Sequence, residues 1–384
     1  MIARILPLLL LLILLPDWYI YRHDLCRRSR PGVLKTILWW LPGVAMIVFV
    51  IYLSTLRTFA PVNADITAIY LLLLGFLVLP KTVYALCSSI GLFYCRKTHS
   101  HKNYGNLLGF LLAIFVVYMT FYSYFVGSRK LAVRHEEFVS KDLPKSFDGY
   151  RIVHFSDLHV GSLPESLLQR VVDSINAQKP DIIIFTGDLQ NLQPDELDEA
   201  MPILSQLKAM DGVLSILGNH DYAFYLRADF ATSALNEAKM KQKQHDMGWR
   251  LLLNENVSVK RGDERIVFAG MENEGKKEEQ SRGDLPKTMS GVPDDAFVVM
   301  LQHDPTAWKR IILPETKAQL TLSGHTHGGQ ISLFGFSPVT FVYDEYAGMY
   351  QENKRALYVS AGLGGLAPFR FGVPPEFTVI TLRR

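Results

Sequence analysis

Hydrophobic residues are concentrated in the first third of the chain, where they form four apolar stretches over residues 5–20, 34–56, 66–95 and 107–126. A helix of about 20 apolar residues crosses the hydrocarbon core of a bilayer, and the last three stretches reach that length. The apolar run 5–15 within the first stretch is interpreted as part of a span that continues through Ile20 rather than as a signal peptide, because Pro16-Asp17-Trp18 follows the run in place of a small-residue cleavage site. The pattern predicts a transmembrane region over residues 1–128 with about four spanning helices.

Lysine and arginine in the loops between spans indicate the orientation of a multi-pass protein of the cell membrane. The first and third loops are basic, with Arg22, Arg27, Arg28, Arg30 and Lys35 in one and Arg96, Lys97 and Lys102 in the other. The second loop holds only Arg57. Because basic loops stay in the cytoplasm, the pattern favours an extracytoplasmic position for the rest of the chain. Arg129, Lys130 and Arg134 follow the last span and argue for the opposite side.

Lys81 lies inside the third apolar stretch, directly after Pro80. A charged residue within a span is by default a candidate for function. We favour a structural explanation, in which Pro80 marks a break between two helices or the lysine stem extends to the interface.

After Phe138 the pattern changes to short apolar runs that alternate with amphipathic segments. Runs at 150–155, 181–185 and 212–217 predict strands, and the apolar spacing over 165–178 predicts a helix. A second helix is expected around 194–210, and a β-rich second half from runs at 266–269, 296–301, 319–322, 357–359 and 377–382. We expect 129–149 to be a linker and the entry to a second domain, which covers 150–384.

Polar motifs follow these runs where the predicted strands end. Their aspartate, asparagine and histidine residues are Asp157, His159, Asp188, Asn219, His220, His303, His325 and His327. Ligand sites of open α/β sheets gather at the carboxyl ends of strands, so these side chains are expected to meet at one edge. Carboxylate, amide and imidazole groups bind divalent first-row metals, and the motifs therefore predict a metal site.

Each motif alone is weak evidence, because Asp-x-His is usually a surface loop and Gly-Asp is often a turn. Asn219-His220-Asp221 could equally cap a helix. Their occurrence together and in order favours the metal site. A carboxylate such as Asp188 can bridge two cations about 3.5–4 Å apart, the separation used in two-metal hydrolysis of phosphate esters.

Composition narrows the alternatives. The formal net charge is +3 and there is no basic stripe with interleaved aromatic residues, so nucleic-acid binding is not expected. Cys26, Cys87 and Cys95 all lie in the first third, so the metal ligands of the second domain must be oxygen and nitrogen.

The full series of motifs, Asp-x-His, Gly-Asp, Gly-Asn-His-Asp, His and Gly-His-x-His, resembles the calcineurin-like metallophosphoesterase superfamily over residues 150–382. The segments 324–330, 362–365 and 368–372 are similar to its bacterial membrane-associated phosphodiesterase branch. The resemblance implies an α/β fold, a four-layer α/β/β/α metallophosphoesterase sandwich, preceded here by an N-terminal bundle of transmembrane helices.

The resemblance also implies a role for each motif residue. Asp157, His159 and His327 would hold one metal, Asn219, His303 and His325 would hold a second, and Asp188 would bridge both. A metal-bridging hydroxide would attack phosphorus, and His220 would protonate the leaving group. Mn, Fe and Zn all accept this set of nitrogen and oxygen ligands.

The chain departs from the family pattern at Asn191, where many relatives have an aspartate that orients the catalytic histidine. An amide can still orient the imidazole of His220, but it stabilises the imidazole cation less.

Three other features have structural and functional interpretations. The polar run over 274–284 is predicted to be a solvated loop, with a lid that carries Arg282 as the alternative. Arg370 is a candidate phosphate contact, although an ion pair is favoured. An aromatic cluster is predicted to be core, with an apolar rim against the membrane as the alternative. Its members are Phe334, Phe336, Phe341, Tyr343 and Tyr346.

The sequence therefore predicts a membrane-anchored two-metal phosphoesterase, with a phosphodiesterase favoured over a monoesterase. Its substrate is expected to be a phosphoester, favoured as a lipid-linked or envelope phosphodiester. One alternative is a pyrophosphohydrolase that cleaves a nucleotide-linked lipid precursor at the cytoplasmic face. A second is a non-catalytic metal-binding module, and a third is a transporter or channel with a regulatory domain.

Overall fold

The computed structural model describes residues 2–27, 31–56, 61–222, 224–226, 228–276, 281–365 and 367–384. Arg28, Arg30 and Arg57, on which the orientation argument draws, lie outside the described residues, as do residues 277–280 of the predicted polar loop. The chain divides into two compact units, Met1–Val126 and Gly127–Arg384.

The first unit consists of apolar helices. These are α1 (Ile2–Ile20), α2 (Val33–Thr55), α3 (Pro61–Leu73), α4 (Leu79–Thr98) and α5 (Tyr104–Phe125). Within the described part of the chain, four helical segments are long and apolar enough to cross a membrane: Ile5–Leu25, Val33–Thr55, Asp65–Thr98 and Tyr104–Arg129. The four predicted spans are thus confirmed as apolar helices.

The third of these segments contains a π-helical turn, Leu74–Val78, which joins α3 to α4. Pro80 follows the turn and has no N–H to donate to the carbonyl four residues earlier. A π-turn accommodates such a defect without ending the helix. Pro80 therefore disturbs the helix but does not break it.

Lys81 is paired with an aspartate of α1. Its Nζ atom lies 2.7 Å from Oδ1 of Asp17, whose side chain is buried. The ammonium also lies 4.9 Å from the centre of the Trp39 ring, and the indole nitrogen of Trp39 donates to the carbonyl of Asp17. Because an isolated charge within an apolar bundle is costly, this pairing, rather than the predicted extension of the lysine to the interface, accounts for Lys81.

Twelve strands are described in the second unit. In chain order they are β1 (Ala132–Val139), β2 (Arg151–Phe155), β3 (Ile182–Phe185), β4 (Val213–Ser215), β5 (Arg250–Leu251), β6 (Glu255–Arg261), β7 (Glu264–Gly270), β8 (Phe297–Leu301), β9 (Leu320–Ser323), β10 (Gly348–Glu352), β11 (Arg355–Val359) and β12 (Glu376–Arg383). They form two six-stranded sheets, of order β1-β12-β2-β3-β4-β5 and β10-β11-β9-β8-β7-β6. Strands β2 to β5 are mutually parallel, and so are β11, β9, β8 and β7.

The helices of the second unit are α6 (Glu165–Ala177), α7 (Met201–Leu204), α8 (Phe230–Asp246), α9 (Leu285–Thr288) and α10 (Leu313–Glu315). The predicted helix over 165–178 is confirmed as α6. The helix expected around 194–210 is reduced to a 3₁₀ turn, Pro194–Leu197, and the short α7. Pro202 lies within that stretch and has no N–H for a helical hydrogen bond, which explains the interruption.

Side chains alternate between the two faces of each sheet. Ile182 and Ile184 of β3 belong to the core between the sheets, whereas Ile183 and Phe185 pack in the cluster that α6 and α8 cover. A third cluster, which includes Trp308, covers the outer face of the second sheet. The layers are therefore helices, sheet, sheet and helices, and the predicted four-layer sandwich is confirmed.

Candidate metal centre

The predicted site residues meet where five parallel strands end. Asp157 and His159 follow β2, Asp188 follows β3, Asn219 and His220 follow β4, His303 follows β8, and His325 and His327 follow β9. All are buried except His325 and His327, which are partly exposed. The structure brings together all eight residues that the sequence singles out.

One group consists of Asp157, His159 and His327. One potential ligand atom from each lies within 4.8 Å of the other two. Nε2 of His327 is 3.6 Å from Oδ1 of Asp157, and the rings of His159 and His327 are 5.1 Å apart. A carboxylate and two imidazoles thus converge on one point.

A second group consists of Asp188, His303 and His325, whose potential ligand atoms also lie within 4.8 Å of one another. Nε2 of His303 is 3.3 Å from Nδ1 of His325. The amide oxygen of Asn219 joins this group, 3.1 Å from Nε2 of His303. The second group therefore offers a carboxylate, an amide oxygen and two imidazoles.

Asp188 belongs to the second group and also faces the first. Its Oδ2 atom is 3.2 Å from Nε2 of His303 and 3.6 Å from Nε2 of His159. One carboxylate oxygen thus faces an imidazole from each group, which is the arrangement that a bridging ligand requires.

Backbone conformation is unusual at this site. Five of the eleven non-glycine residues with positive φ in the described chain belong to it: Asp157, His159, Asp188, His325 and His327. Such φ values are uncommon for residues with a Cβ and cost about 1–3 kcal/mol each. Backbone strain is therefore concentrated in the loops that bring the potential ligands together.

Gly218 precedes Asn219 for a steric reason. A Cβ atom at this position would lie 2.8 Å from Cε1 of His303 and 2.5 Å from the main-chain nitrogen of Asp188. Only glycine lets the loop after β4 approach the loop after β3 this closely.

Asp221 holds two of these loops together, a role that the sequence does not reveal. Its carboxylate accepts main-chain N–H bonds from Gly218, Asp188, Leu189 and Gln190, at 2.8–3.3 Å. The residue belongs to the Gly-Asn-His-Asp motif, but an aspartate in such a motif could equally be a ligand. Only its contacts identify it as the acceptor that orders the loop after β3.

His220 is oriented by the main chain rather than by the side chain of Asn191. Its Nδ1 atom lies 2.6 Å from the carbonyl oxygen of Asn191, and its ring lies beside that of Tyr225, with ring centres 4.4 Å apart and planes tilted by 31°. Because a carbonyl only accepts, Nδ1 must carry a proton and Nε2 is the nitrogen left for chemistry. The expectation that the Asn191 amide orients the imidazole is therefore corrected.

Burial and charge pairing shift the pKa values of the site residues in different directions. Burial lowers the pKa of His159 to about 3 and raises that of Asp157 to about 6. Burial also opposes ionisation of His303 and Asp188, but their attraction outweighs it. The pKa of His303 rises to about 10 and that of Asp188 falls well below its usual range.

His159 shows that the first group fits a cation. Its ring is buried, and neither ring nitrogen has a hydrogen-bond partner among the described residues. A buried polar atom without a partner costs about 1–3 kcal/mol. A neutral imidazole beside a carboxylate, each with a free lone pair, is a donor set that divalent first-row metals accept.

Two tyrosines outside the motifs contact the second group. The hydroxyl of Tyr225 accepts from Nδ2 of Asn219 at 2.9 Å, and the hydroxyl of Tyr343 lies 3.0 Å from Nε2 of His325. Burial raises the pKa of Tyr343 to about 12, so this hydroxyl stays neutral. Both lie in loops without periodicity, and the sequence therefore gives no signal for their role.

Neither predicted arginine contacts this site directly in the described structure. Arg370 is buried and donates to the carbonyl oxygens of Ala361 and Gly364, and it forms no ion pair with a described residue, contrary to the favoured expectation. Arg282 is exposed and lies over the rings of Tyr222 and Phe224, 5.6 Å from each ring centre.

The aromatic cluster after His327 is not core, and that prediction is wrong. Phe334, Phe336 and Phe341 are exposed, whereas Tyr343 and Tyr346 are partly buried. Apolar composition favours burial in general, but these phenylalanines lie in loops at the margin of the sandwich.

Comparison with known proteins agrees with this geometry. The profile "Calcineurin-like phosphoesterase" matches residues 150–329, and "Probable Calcineurin-like phosphoesterase, transmembrane domain" matches residues 3–128. The chain is 34% identical over 252 residues to the uncharacterized metallophosphoesterase YkuE of Bacillus subtilis, covering 63% of this chain and 82% of the relative.

Two other relatives are informative. The zebrafish "Transmembrane protein with metallophosphoesterase domain" is 31% identical, over 63% of this chain and 55% of the relative. The UDP-2,3-diacylglucosamine pyrophosphatase LpxG of Chlamydia trachomatis is 27% identical, over 62% of this chain and 86% of the relative. By its motifs, its fold and these matches, the chain belongs to the calcineurin-like metallophosphoesterases, a family of hydrolases that use divalent metals, and it carries a transmembrane domain at its N-terminus.

Proposed function

We propose that this membrane protein is a two-metal phosphodiesterase. The observation that carries the proposal is the position of Asp188, whose Oδ2 atom faces His303 at 3.2 Å and His159 at 3.6 Å. In this proposal, Asp188 bridges two cations. Asp157, His159 and His327 hold one of them, and Asn219, His303 and His325 hold the other. Mn, Fe and Zn all suit these ligands.

The cations, when bound, would supply Lewis acidity and a nucleophile derived from water. The residues of the chain do the rest. His220 donates Nδ1–H to the carbonyl of Asn191, which fixes the ring and supports its positive charge. Nε2 is then free to carry the proton that the departing alkoxide needs.

The charge around the site supports a diester over a monoester. A monoester has a second negative charge near neutral pH, and a site for it would benefit from a free arginine or lysine. Among the described residues, Arg370 donates instead to main-chain carbonyls, and Lys276 donates to the carbonyl oxygen of Val342. The second group is contacted instead by the neutral hydroxyls of Tyr225 and Tyr343, which suit the single charge of a diester.

We infer further that the substrate is lipid-linked and that the catalytic unit is extracytoplasmic. The tether to four apolar helices supports the first inference, and the basic first and third loops support the second. One other substrate has a specific observation in its favour. The similarity to LpxG supports cleavage of a pyrophosphate in a nucleotide-linked lipid, and in that alternative the reaction takes place at the cytoplasmic face.

Hydrolysis by the full chain in detergent micelles tests the proposal. After chelation, Mn, Zn or Mg is added back with bis-p-nitrophenyl phosphate, with p-nitrophenyl phosphate or with a lipid-linked nucleoside diphosphate. We expect metal-dependent cleavage of the diester, faster than that of the monoester. Faster cleavage of the monoester would contradict the diester preference, and release of a nucleoside monophosphate as the fastest reaction would favour the pyrophosphohydrolase.

Topology is tested separately with reporters fused to the C-terminus of the full chain. An extracytoplasmic reporter signal is expected. A cytoplasmic signal would overturn the proposed orientation and leave the hydrolytic chemistry untouched.

A further inference from the structure

The segment after His327 turns a group of apolar side chains toward solvent. Phe334 is 99% exposed, Phe341 81%, Val342 60% and Phe336 52%. The rings of Phe336 and Phe341 lie 5.7 Å apart, so these two exposed rings adjoin each other. We call this group, three phenylalanines and one valine, the aromatic rim. Apolar surface grouped in this way is typical of an interaction site, whereas single exposed apolar residues are common.

Phe334 lies at the tip of a tight hairpin. Leu333 and Phe336 exchange main-chain hydrogen bonds at 2.8 and 3.0 Å, and the two residues between them, Phe334 and Gly335, have φ values of 52° and 82°. Positive φ at both central positions corresponds to a type I′ turn, where asparagine, aspartate and glycine are preferred. A phenylalanine here adds backbone strain to the cost of exposing a ring, and the fold gains no buried contact in return.

The aromatic rim is fastened to the loop that carries the last two histidines. Ser337 donates from Oγ to the carbonyl of Gly328 at 3.2 Å, and the hydroxyl of Tyr343 lies 3.0 Å from Nε2 of His325. The base of the hairpin is held by a bond of 2.7 Å from the nitrogen of Ser332 to the carbonyl of Phe371. The rim is therefore a built part of the margin of the site.

A lysine accompanies these rings. The Nζ atom of the exposed Lys276 lies 3.1 Å from the carbonyl oxygen of Val342 and 5.2 Å from the centre of the Tyr343 ring. Exposed aromatic side chains with a lysine at their border are typical of segments that lie in the headgroup region of a bilayer. A bilayer is close in sequence to this unit, because the apolar helical segment Tyr104–Arg129 ends shortly before β1 begins at Ala132.

We propose that the aromatic rim is a bilayer-contact surface that inserts among the lipid headgroups of the membrane in which the protein is anchored. Because the rim is joined to the loop of His325 and His327, lipid that touches it would have its phosphoester next to these imidazoles. The placement of the phosphoester rests on the proposed function, whereas contact of the rim with lipid does not.

Site-directed fluorescence in proteoliposomes tests the contact. The full chain, with Cys26, Cys87 and Cys95 changed to serine, carries Phe334→Cys labelled with an environment-sensitive dye in vesicles of phosphatidylethanolamine and phosphatidylglycerol. Met210→Cys is the matched control. Met210 is 76% exposed, and it precedes β4, at the opposite end of the strand from the site.

We expect a lipid-borne nitroxide near the headgroups to quench the dye at position 334, and aqueous iodide to quench the dye at position 210. Iodide quenching at position 334 equal to that at position 210 would overturn the proposal, because the rim would then face water. Protection of position 334 from both quenchers would overturn it too, since a protein partner or a second copy would then cover the rim.

Activity supplies a second test that separates the two proposals. The double change Phe334→Ser with Phe341→Ser should lower hydrolysis of an acylated phosphodiester in vesicles about tenfold, since a buried ring contributes at least the free energy of a tenfold effect. Hydrolysis of bis-p-nitrophenyl phosphate should be unchanged. An equal loss with both substrates, or no loss with either, would contradict a lipid-contact role. If the unmodified protein hydrolyses neither diester, the proposed function fails while the quenching result still decides the rim.

Discussion

The Nδ1 atom of His220 lies 2.6 Å from the main-chain carbonyl oxygen of Asn191. The resemblance to the family implies a carboxylate for this role, and here a main-chain carbonyl holds the imidazole. Since a carbonyl accepts the same proton whatever the side chain, the departure at Asn191 need not weaken the orientation of the imidazole. What it removes is a full negative charge next to the ring.

The first prediction separates the main chain of Asn191 from its side chain. Asn191→Ala should retain kcat for bis-p-nitrophenyl phosphate within a few-fold, because the carbonyl stays in place. His220→Asn should lower kcat by roughly 10²- to 10⁴-fold with a poor alkoxide leaving group, and by less with p-nitrophenolate, which needs little protonation. An equal loss with both leaving groups would contradict proton donation by His220.

The second prediction concerns His154, which is buried outside the metal groups and lies 2.9 Å from the hydroxyl of Thr186. Burial lowers the pKa of this imidazole to about 3, whereas the unfolded chain protonates near the ordinary value of 6.5. Between these values the unfolded state binds a proton that the folded state does not. The contribution of His154 to the free energy of unfolding is therefore fully present above pH ~6.5. It declines toward pH ~3, by up to ~1.4 kcal/mol per pH unit.

Unfolding of the full chain by urea, followed by tryptophan fluorescence between pH 7 and 4, measures this slope. His154→Gln should flatten it by about one proton. His245→Gln is the control, since the side chain of His245 is 84% exposed and its removal should leave the slope unchanged. If His154→Gln kept the slope of the unmodified protein, the account of His154 would be wrong.

The third prediction concerns the ion pair between Asp17 and Lys81, 2.7 Å apart within the apolar helices. Asp17→Asn leaves the ammonium without its partner and should destabilise the helical unit by about 2–4 kcal/mol. The double change Asp17→Asn with Lys81→Met removes both charges and should restore most of that loss. Thermal unfolding in detergent gives the comparison, and a double variant no more stable than the single one would show that the pair does not act as a pair.

Much of the catalytic unit is predictable because its central strands are buried on both faces. Such strands read as continuous apolar runs, and the run that becomes β3 ends just before Asp188. Since parallel strands place their carboxyl ends at one edge, the order of motifs along the chain suffices to predict that the ligands meet. The amphipathic spacing of α6 is equally direct, because its leucine, valine and isoleucine residues are all buried.

Other features depend on contacts that no local pattern encodes. Strand β1 lies within 129–149, the segment expected to be a linker and the entry to the second domain. The sequence does not predict it as a strand, because His135, Glu136 and Glu137 interrupt its apolar pattern on an exposed edge of the sheet. Phe334 is exposed because it lies at the tip of a hairpin, whereas an apolar side chain is usually expected to be buried. Asp221 resembles a ligand in sequence and proves to be an acceptor of main-chain N–H groups.

The measurement that tests the account most directly is the metal content of the full chain, with and without Asp188→Asn, alongside its rate with bis-p-nitrophenyl phosphate. Asp198→Asn is the control, because the side chain of Asp198 is 65% exposed. We expect two metal equivalents in the unmodified protein and in the control. In Asp188→Asn we expect the loss of at least one equivalent and a fall in kcat of roughly 10²- to 10³-fold or more. Two bound metals with full activity in Asp188→Asn would contradict the bridging role of Asp188 and, with it, the two-metal mechanism.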